Sequence, residues 1–331
     1  MEETHIMISK KRGTLLAISA ALGACFATTA AAGEKYTIGY SQFWGTIPFS
    51  QTQVAGARKA AAEWKEKGAD IELIVTNGGN TDTTKQVGDV EDLYTQGVNG
   101  LLIFPGDSVV LAEPIKNVFN ANNIPVVVTD IGLQSGSWDS FIITDNVAGG
   151  KIAAELMAKN VKPGSKVIVF DFGPANDNVQ ARVRGFETEA KARGLSVLPR
   201  KVIKLSLEEG RRAMEDTLVE TPDIAGVFFE NEVVAQGAAA TLEAAQRNDV
   251  KIVTFDLSSQ AYDLVKEGKI LGVVVQDPYK MGYVGMNAMM TKLTGGVPEK
   301  RIELETKLLT KENVLEFAQD PQVTGKLALA H

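Results

Sequence analysis

Asp130, Asn231, Asp256 and Gln276 each stand at the end of a short apolar run, and Trp44, Phe49 and Arg182 lie in the segments that follow other such runs. Carboxylates accept hydrogen bonds strongly, side-chain amides both donate and accept, and a guanidinium donates from a fixed fork. Aromatic rings cover apolar C–H faces. Such a set suits a neutral polyhydroxylated ligand, a sugar or sugar alcohol, whose hydroxyls donate and accept while its carbon skeleton stays apolar. The full set of candidate ligand-binding residues is Gln42, Phe43, Trp44, Phe49, Asp130, Gln180, Arg182, Asn231, Asp256 and Gln276, with Asp107, Glu232 and Asp277 in comparable positions after strands. Each type also has a purely structural role available. An Asp or Asn after a strand caps the next helix, Trp44 covers a hydrophobic edge, and Arg182 pairs with a surface carboxylate.

Composition narrows the chemistry. Of 331 residues, 44% are hydrophobic and 23% charged, which is the mix of a soluble globular protein large enough for two domains. A formal net charge of −7 repels polyphosphates, so no nucleic-acid partner is expected. The two histidines are His5 and His331, and the single cysteine is Cys25. Disulfides, zinc sites built from Cys and His, and imidazole-based triads are thereby excluded from the body of the chain. A glycosidase using Asp130 and Asp256 is the enzymatic alternative; retention would place the two carboxyls about 5 Å apart across the sugar. A binding role instead gives each its own hydroxyls, and no enzyme activity is expected. No P-loop lysine motif, dinucleotide fingerprint or EF-hand loop occurs, so neither a cofactor nor a metal is expected.

The amino terminus reads as a secretory signal. Lys10-Lys11-Arg12 is basic, Leu15 to Phe26 is apolar, and Ala30-Ala31-Ala32 offers a small-residue cleavage site before Gly33. The apolar stretch is short of the roughly 20 residues that span a bilayer. Cleavage after Ala32 delivers the protein to the periplasm. Two alternatives remain: lipidation at Cys25 within Leu22-Gly23-Ala24-Cys25, and a start at Met7 rather than Met1.

The elements that must position the candidates alternate from end to end. Strands are expected at Tyr36 to Ser41, Ile71 to Thr76, Gly100 to Phe104, Ile124 to Thr129 and Phe141 to Thr144, with helical periodicity between the first four and Asp82 or Thr81 capping the second helix. The pattern repeats with a helix from Val147 to Asn160 and strands at Lys166 to Phe170, Ser196 to Ile203, Gly226 to Glu230, Lys251 to Phe255 and Ile270 to Gln276. A long helix, a strand at Arg301 to Thr306 and a short helix near Asn313 close the chain. This is an α/β protein with two consecutive doubly wound parallel sheets. Ligands of open parallel sheets bind beyond the carboxyl ends of the strands, so two facing sheets put the ligand in the cleft between them.

Several segments, in order, carry a resemblance: Thr37-Ile38-Gly39-Tyr40-Ser41-Gln42 with Pro48-Phe49, Asn123 to Asp130, Thr144-Asp145-Asn146 with Gly149 to Ala153, Arg184-Gly185-Phe186, Phe229 to Glu232, Phe255-Asp256 and Gln276-Asp277-Pro278. From Tyr36 to about Leu309 the chain resembles the periplasmic sugar-binding proteins of the ribose-binding type, the type I fold of ABC importers. The resemblance implies that Asp130, Asn231, Asp256 and Gln276 hydrogen-bond the ligand and that Phe49 with Phe43 or Trp44 packs on it. Beyond the signal peptide read over 1–32, it implies two lobes, 33–144 plus 277–304 and 145–276 plus 305–331, joined by a three-strand hinge. The implied function is capture of a neutral sugar or polyol by lobe closure and delivery to ABC permease subunits in the inner membrane, as a monomer. Presentation to a chemoreceptor or sensor kinase is the alternative; a transcriptional regulator would carry a DNA-reading unit where this chain has its export signal. Where ribose binders have arginine after the aspartate, this chain has Ile131; another arginine falls at Gln180, and a phenylalanine falls at Ser50. Those departures imply a differently shaped neutral ligand: another pentose, a hexose or a linear polyol.

Overall fold

The computed structural model describes Met1 and residues 34–78, 82–173 and 177–326. The chain divides into Met1–Gly33 and Glu34–His331, and both sheets belong to the second part. The expected export signal with Cys25, and Thr81, lie outside the described residues.

The first run of elements is β1 (Lys35–Gln42), α1 (Pro48–Glu66), β2 (Asp70–Asn77), α2 (Thr83–Thr95) and β3 (Gly100–Phe104). It continues with α3 (Ala112–Pro114), which widens into a π turn over Ile115–Asn120, then β4 (Val126–Thr129) and β5 (Ser140–Thr144). The second run is α4 (Asn146–Asn160), β6 (Lys166–Asp171), α5 (Asp177–Ala192), β7 (Ser196–Val197), β8 (Lys201–Val202) and α6 (Leu207–Glu220). After it come β9 (Ile224–Phe229), α7 (Glu232–Ala244), β10 (Lys251–Phe255), α8 (Ser259–Glu267) and β11 (Gly272–Val275). The chain then adds α9 (Pro278–Leu293), β12 (Arg301–Leu304), β13 (Lys307–Thr310), a 3-10 turn over Val314–Phe317 and α10 (Pro321–Thr324).

Two sheets result. One has the order β12-β5-β4-β3-β1-β2 and is parallel throughout; the other runs β13-β11-β10-β9-β6-β7, with β8 also on β6, and only β13 is antiparallel. Every residue of β3, β4, β5 and β11 is buried, because helices cover both sheet faces, and this is why those strands read as mostly apolar runs rather than alternating ones. The chain passes between sheets three times. β5 leads into α4, which packs on β10 and β11; β11 leads into α9, which packs on β3, β4 and β5; and β12 leads into β13. Asp145 and Asp277 mark the first two passages by capping α4 and α9, each accepting from the backbone N–H three residues on.

Two expected strands are divided. Ser196 to Ile203 breaks at Leu198-Pro199-Arg200 into β7 and β8, since Pro199 has no N–H to give to a ladder. Arg301 to Thr306 stops at Leu304, because the residues that follow serve the other sheet: β12 pairs with β5, whereas β13 pairs with β11.

Glycines allow the closest helix contacts. A methyl group on Gly150 of α4 would overlap the carbonyl oxygen of Arg182 on α5, and one on Gly185 of α5 would overlap that of Val147 on α4. This reciprocal approach brings the Arg182 side chain within reach of Asn146 at the start of α4.

Candidate functional site

A cavity of about 460 Å³ is lined by residues from both lobes. Trp44, Phe49, Phe104, Asp130 and Ile131 come from the segments around the first sheet. Asn178, Arg182, Glu230, Asn231 and Asp256 come from the second, and Gln276 lies at the passage between β11 and α9. All follow the carboxyl ends of parallel strands, which is where the topology places a ligand.

Asp256 follows β10 with a positive φ of 72°, and its N–H donates to Val274 of β11 at 3.1 Å. Its side chain is held from three directions. Asn231 Nδ2 donates to Oδ2 at 2.9 Å, Gln276 Nε2 donates to Oδ1 at 2.6 Å, and the Arg182 guanidinium lies 3.7 Å from Oδ2. Arg182, with 5% of its side chain exposed, also donates to Asn146 Oδ1 at 2.9 Å and to the Glu230 carbonyl at 3.0 Å, and it lies 4.2 Å from the Phe255 ring centre. A charge this deeply buried is tolerated because hydrogen-bond acceptors, a ring face and an opposite charge all meet it in the protein.

Asp130 follows β4 with a positive φ of 63°, and its N–H donates to Ile142 of β5 at 2.8 Å. Its Oδ1 is buried with no hydrogen-bond partner among the described residues. Burial pushes its pKa up to about 7, the Arg182 charge opposing and the Asp256 charge adding to the shift. Glu230 is fully buried, neither of its carboxyl oxygens has a hydrogen-bond partner among the described residues, and its pKa rises to about 8 through burial, again opposed by Arg182. Glu232 rises to about 8 as well, by burial and then by the Asp256 charge.

The apolar side of the cavity is a stack of rings. Trp44 lies 5.3 Å from Phe104, and Phe49 lies 5.9 Å from Phe104. Phe43 packs edge-on beneath Trp44 at 4.5 Å.

Seven of the candidates line this cavity: Trp44, Phe49, Asp130, Arg182, Asn231, Asp256 and Gln276. Gln42, Phe43 and Gln180 do not. Gln42 ends β1 fully buried, Phe43 is a buried support for Trp44, and Gln180 donates to the Gly173 carbonyl at 2.9 Å while accepting from Arg200 at 2.8 Å. Among the comparable positions, Glu232 lines the cavity, Asp107 accepts from Val109 and Val110 of its own turn, and Asp277 caps α9. The structural alternatives coexist with the lining role. Asn231 caps α7 through Oδ1 and turns its amide nitrogen to Asp256. Ile131 puts apolar carbon into the lining, while Ser50 is buried away from it.

Phe104, Glu230 and Gln322 line the cavity and were not among the candidates. Phe104 ends β3 and Glu230 directly follows β9, so the strand-end rule that selected Asp256 also reaches them. Gln322 carries no such signal: it belongs to α10, beyond the last strand of either sheet.

A profile of the periplasmic binding protein domain matches residues 38–296. The ribose import binding protein of Bacillus subtilis is 31% identical over 279 residues, 84% of this chain and 88% of that one. The chain belongs to the periplasmic binding protein family. This type I binding protein is also 30% identical to the ribose import binding protein of Escherichia coli, over 92% of its own length and all of the other's. Its structure matches that of a carbohydrate transporter solute-binding protein from Agrobacterium radiobacter in complex with D-arabinose, with a TM-score of 0.73 and 29% identity over 88% of this chain and 98% of that one. The family supplies the substrate-binding components of ABC importers and works outside the cytoplasm. No helix among the described residues of this binding protein is long and apolar enough to cross a membrane.

Proposed function

We propose that this protein captures a neutral pentose, hexose or sugar alcohol in the periplasm and hands it to the permease subunits of an ABC importer. One observation carries the reading: Asp130 and Asp256, from different lobes, line a single cavity together with an aromatic wall and a buried arginine. A polyol between them gives hydroxyls to carboxylates on both sides and lays its C–H face against Trp44 and Phe49. The lobes, 33–144 plus 277–304 and 145–276 plus 305–331, close on the ligand, which selects the closed state by its differential affinity. The ligand-binding set is the seven lining candidates, and its relatives' cargoes, ribose and D-arabinose among them, are of the same chemical class. The kinship with import binding proteins favours transport over presentation to a sensor.

The protein has no enzymatic role in this reading. Asp256 is engaged by Asn231, Gln276 and Arg182, an arrangement that fixes a carboxylate as an acceptor rather than freeing it to transfer protons. Export through residues 1–32 and action as a monomer complete the proposal. Thermal unfolding of residues 33–331 against pentoses, hexoses and polyols tests it, because a ligand that binds only the folded state raises the midpoint. A shift with one neutral compound supports the reading; no shift with any of them, after unfolding and refolding to strip bound ligand, refutes it.

A further inference from the structure

The carboxyl-terminal segment lies outside the region that matches the family profile, yet it reaches the binding cavity. Val314 and Phe317 sit in the core of the second lobe, and Ala318 and Val323 pack against that core. Between them, α10 lies against two helices at once: α1, which belongs to the first sheet's lobe, and α8, which belongs to the second. Both helices begin at the cavity, α1 with Pro48 and Phe49 and α8 with Ser259 and Gln260.

The segment is locally determined. Asp320 accepts from the Gln322 N–H at 2.8 Å and its carbonyl accepts from Val323 and Thr324 at 2.9 Å, Pro321 takes the first helical position, and Gly325 ends the turn with a φ of 63°. Gln322 is thus held on a rigid turn. It is 4% exposed and lines the cavity, and among the described residues its amide nitrogen reaches only Asp320 Oδ1, at 3.5 Å, the outer limit of a hydrogen bond. A buried amide so weakly engaged keeps both its donor and its acceptor for a hydroxyl.

We propose that residues 318–326 form a strap across the cleft wall between α1 and α8, and that Gln322 is a ligand-contacting residue. The inference rests on the sugar-binding reading above. Opening the cleft parts α1 from α8, so α10 must leave one of them. The strap therefore favours the closed form and slows release.

The test uses the full mature chain with D-ribose, D-arabinose, D-allose, D-tagatose, xylitol and myo-inositol as probes. For the probe that binds best, Gln322→Ala weakens binding about tenfold, mostly through faster dissociation, while the unfolding midpoint without sugar stays at the wild-type value. In the wild type, the same sugar slows hydrogen exchange of the backbone amides at 322–326. If wild type binds a probe and Gln322→Ala binds it equally well, or if exchange in the segment ignores the sugar, this inference is overturned and the function stands. A midpoint that falls along with affinity, without sugar-dependent protection of the segment, assigns Gln322 a structural role only. A wild type that binds none of the probes overturns both.

Discussion

Asp130 and Asp256 occupy corresponding places in the two lobes and have opposite surroundings. Each follows an inner strand, β4 or β10, each has a positive φ, and each donates its N–H to the adjoining strand, β5 or β11. Asp256 is met by an asparagine, a glutamine and an arginine; Asp130 has a buried oxygen with no partner and a pKa raised to about 7. The helices behind them differ likewise. Three residues before the close-approach glycine of α5 stands Arg182, and three before Gly56 of α1 stands Gln53, which accepts from Tyr40 at 2.7 Å and is neutral. One backbone arrangement therefore carries a pre-ordered acceptor on one side and an unsatisfied, desolvated one on the other. The lesson is that backbone position fixes where a carboxylate sits, whereas its neighbours decide whether it is already satisfied or waits for a ligand.

The largest break in this contrast comes from Arg182→Met, which leaves Asp256 and the Glu230 carbonyl without their cation. Removing one partner of a buried ion pair costs about 3 kcal/mol, so denaturant unfolding should show a clear loss, and calorimetry a fall in sugar affinity of about a hundredfold or more. Unchanged affinity would mean that the second lobe's network is structural alone. Next is Trp44→Ala: removing one ring from the apolar wall should weaken sugar binding by about ten- to fiftyfold, through some 1–2 kcal/mol of lost contact, with little effect on unfolding.

Asp130→Asn sharpens the comparison through pH. In the folded chain this carboxyl takes up its proton near pH 7, against an ordinary value of 3.8, so the folded state holds more protons across that window. Its contribution to stability is therefore fully present below about pH 4 and is lost as pH rises through 7. The asparagine variant should gain about 2 kcal/mol over wild type at pH 8 and little at pH 4, as read by urea unfolding without sugar; a gap that does not widen with pH would show that Asp130 is not the strained partner. Sugar hydroxyls donating to the ionised form lower its pKa, so wild-type affinity should rise between pH 6 and pH 8, a trend the variant lacks. The smallest effect belongs to the passage between the lobes. Thr144 Oγ1 donates to Gln276 Oε1 at 2.6 Å, which orients the Gln276 amide toward Asp256. Thr144→Val should weaken binding about threefold and Thr144→Ser should restore it; equal losses in both would remove the hydroxyl from the account.

Much of this site is legible in the sequence, for a reason that the two aspartates share. Parallel strands covered on both faces must be largely apolar, so a run such as Val126 to Val128 stands out, and the charged residue just past the strand, Asp130, emerges at the cavity. The rule fails where the backbone continues inward. Gln42 ends β1 and Phe43 follows it, but both are buried away from the cavity, and only Trp44 beyond them reaches it. Gln180 precedes Arg182 by two residues on α5, and on a helix that spacing turns it to another face, where Arg200 and Gly173 take up its amide.

By itself the sequence determined the alternation of strands and helices, the order of the two sheets' elements and the identity of the polar groups at the strand ends, because periodicity and burial of parallel strands are local and repetitive signals. Only the tertiary structure decided which groups meet. That Asp256 is tied down while Asp130 is not, that the Glu230 carboxyl is buried without a hydrogen-bond partner among the described residues, and that Gln322 reaches the cavity from the far end of the chain all depend on contacts between residues distant in sequence. Desolvation and hydrogen-bond satisfaction are properties of a packed neighbourhood, and no single segment carries them.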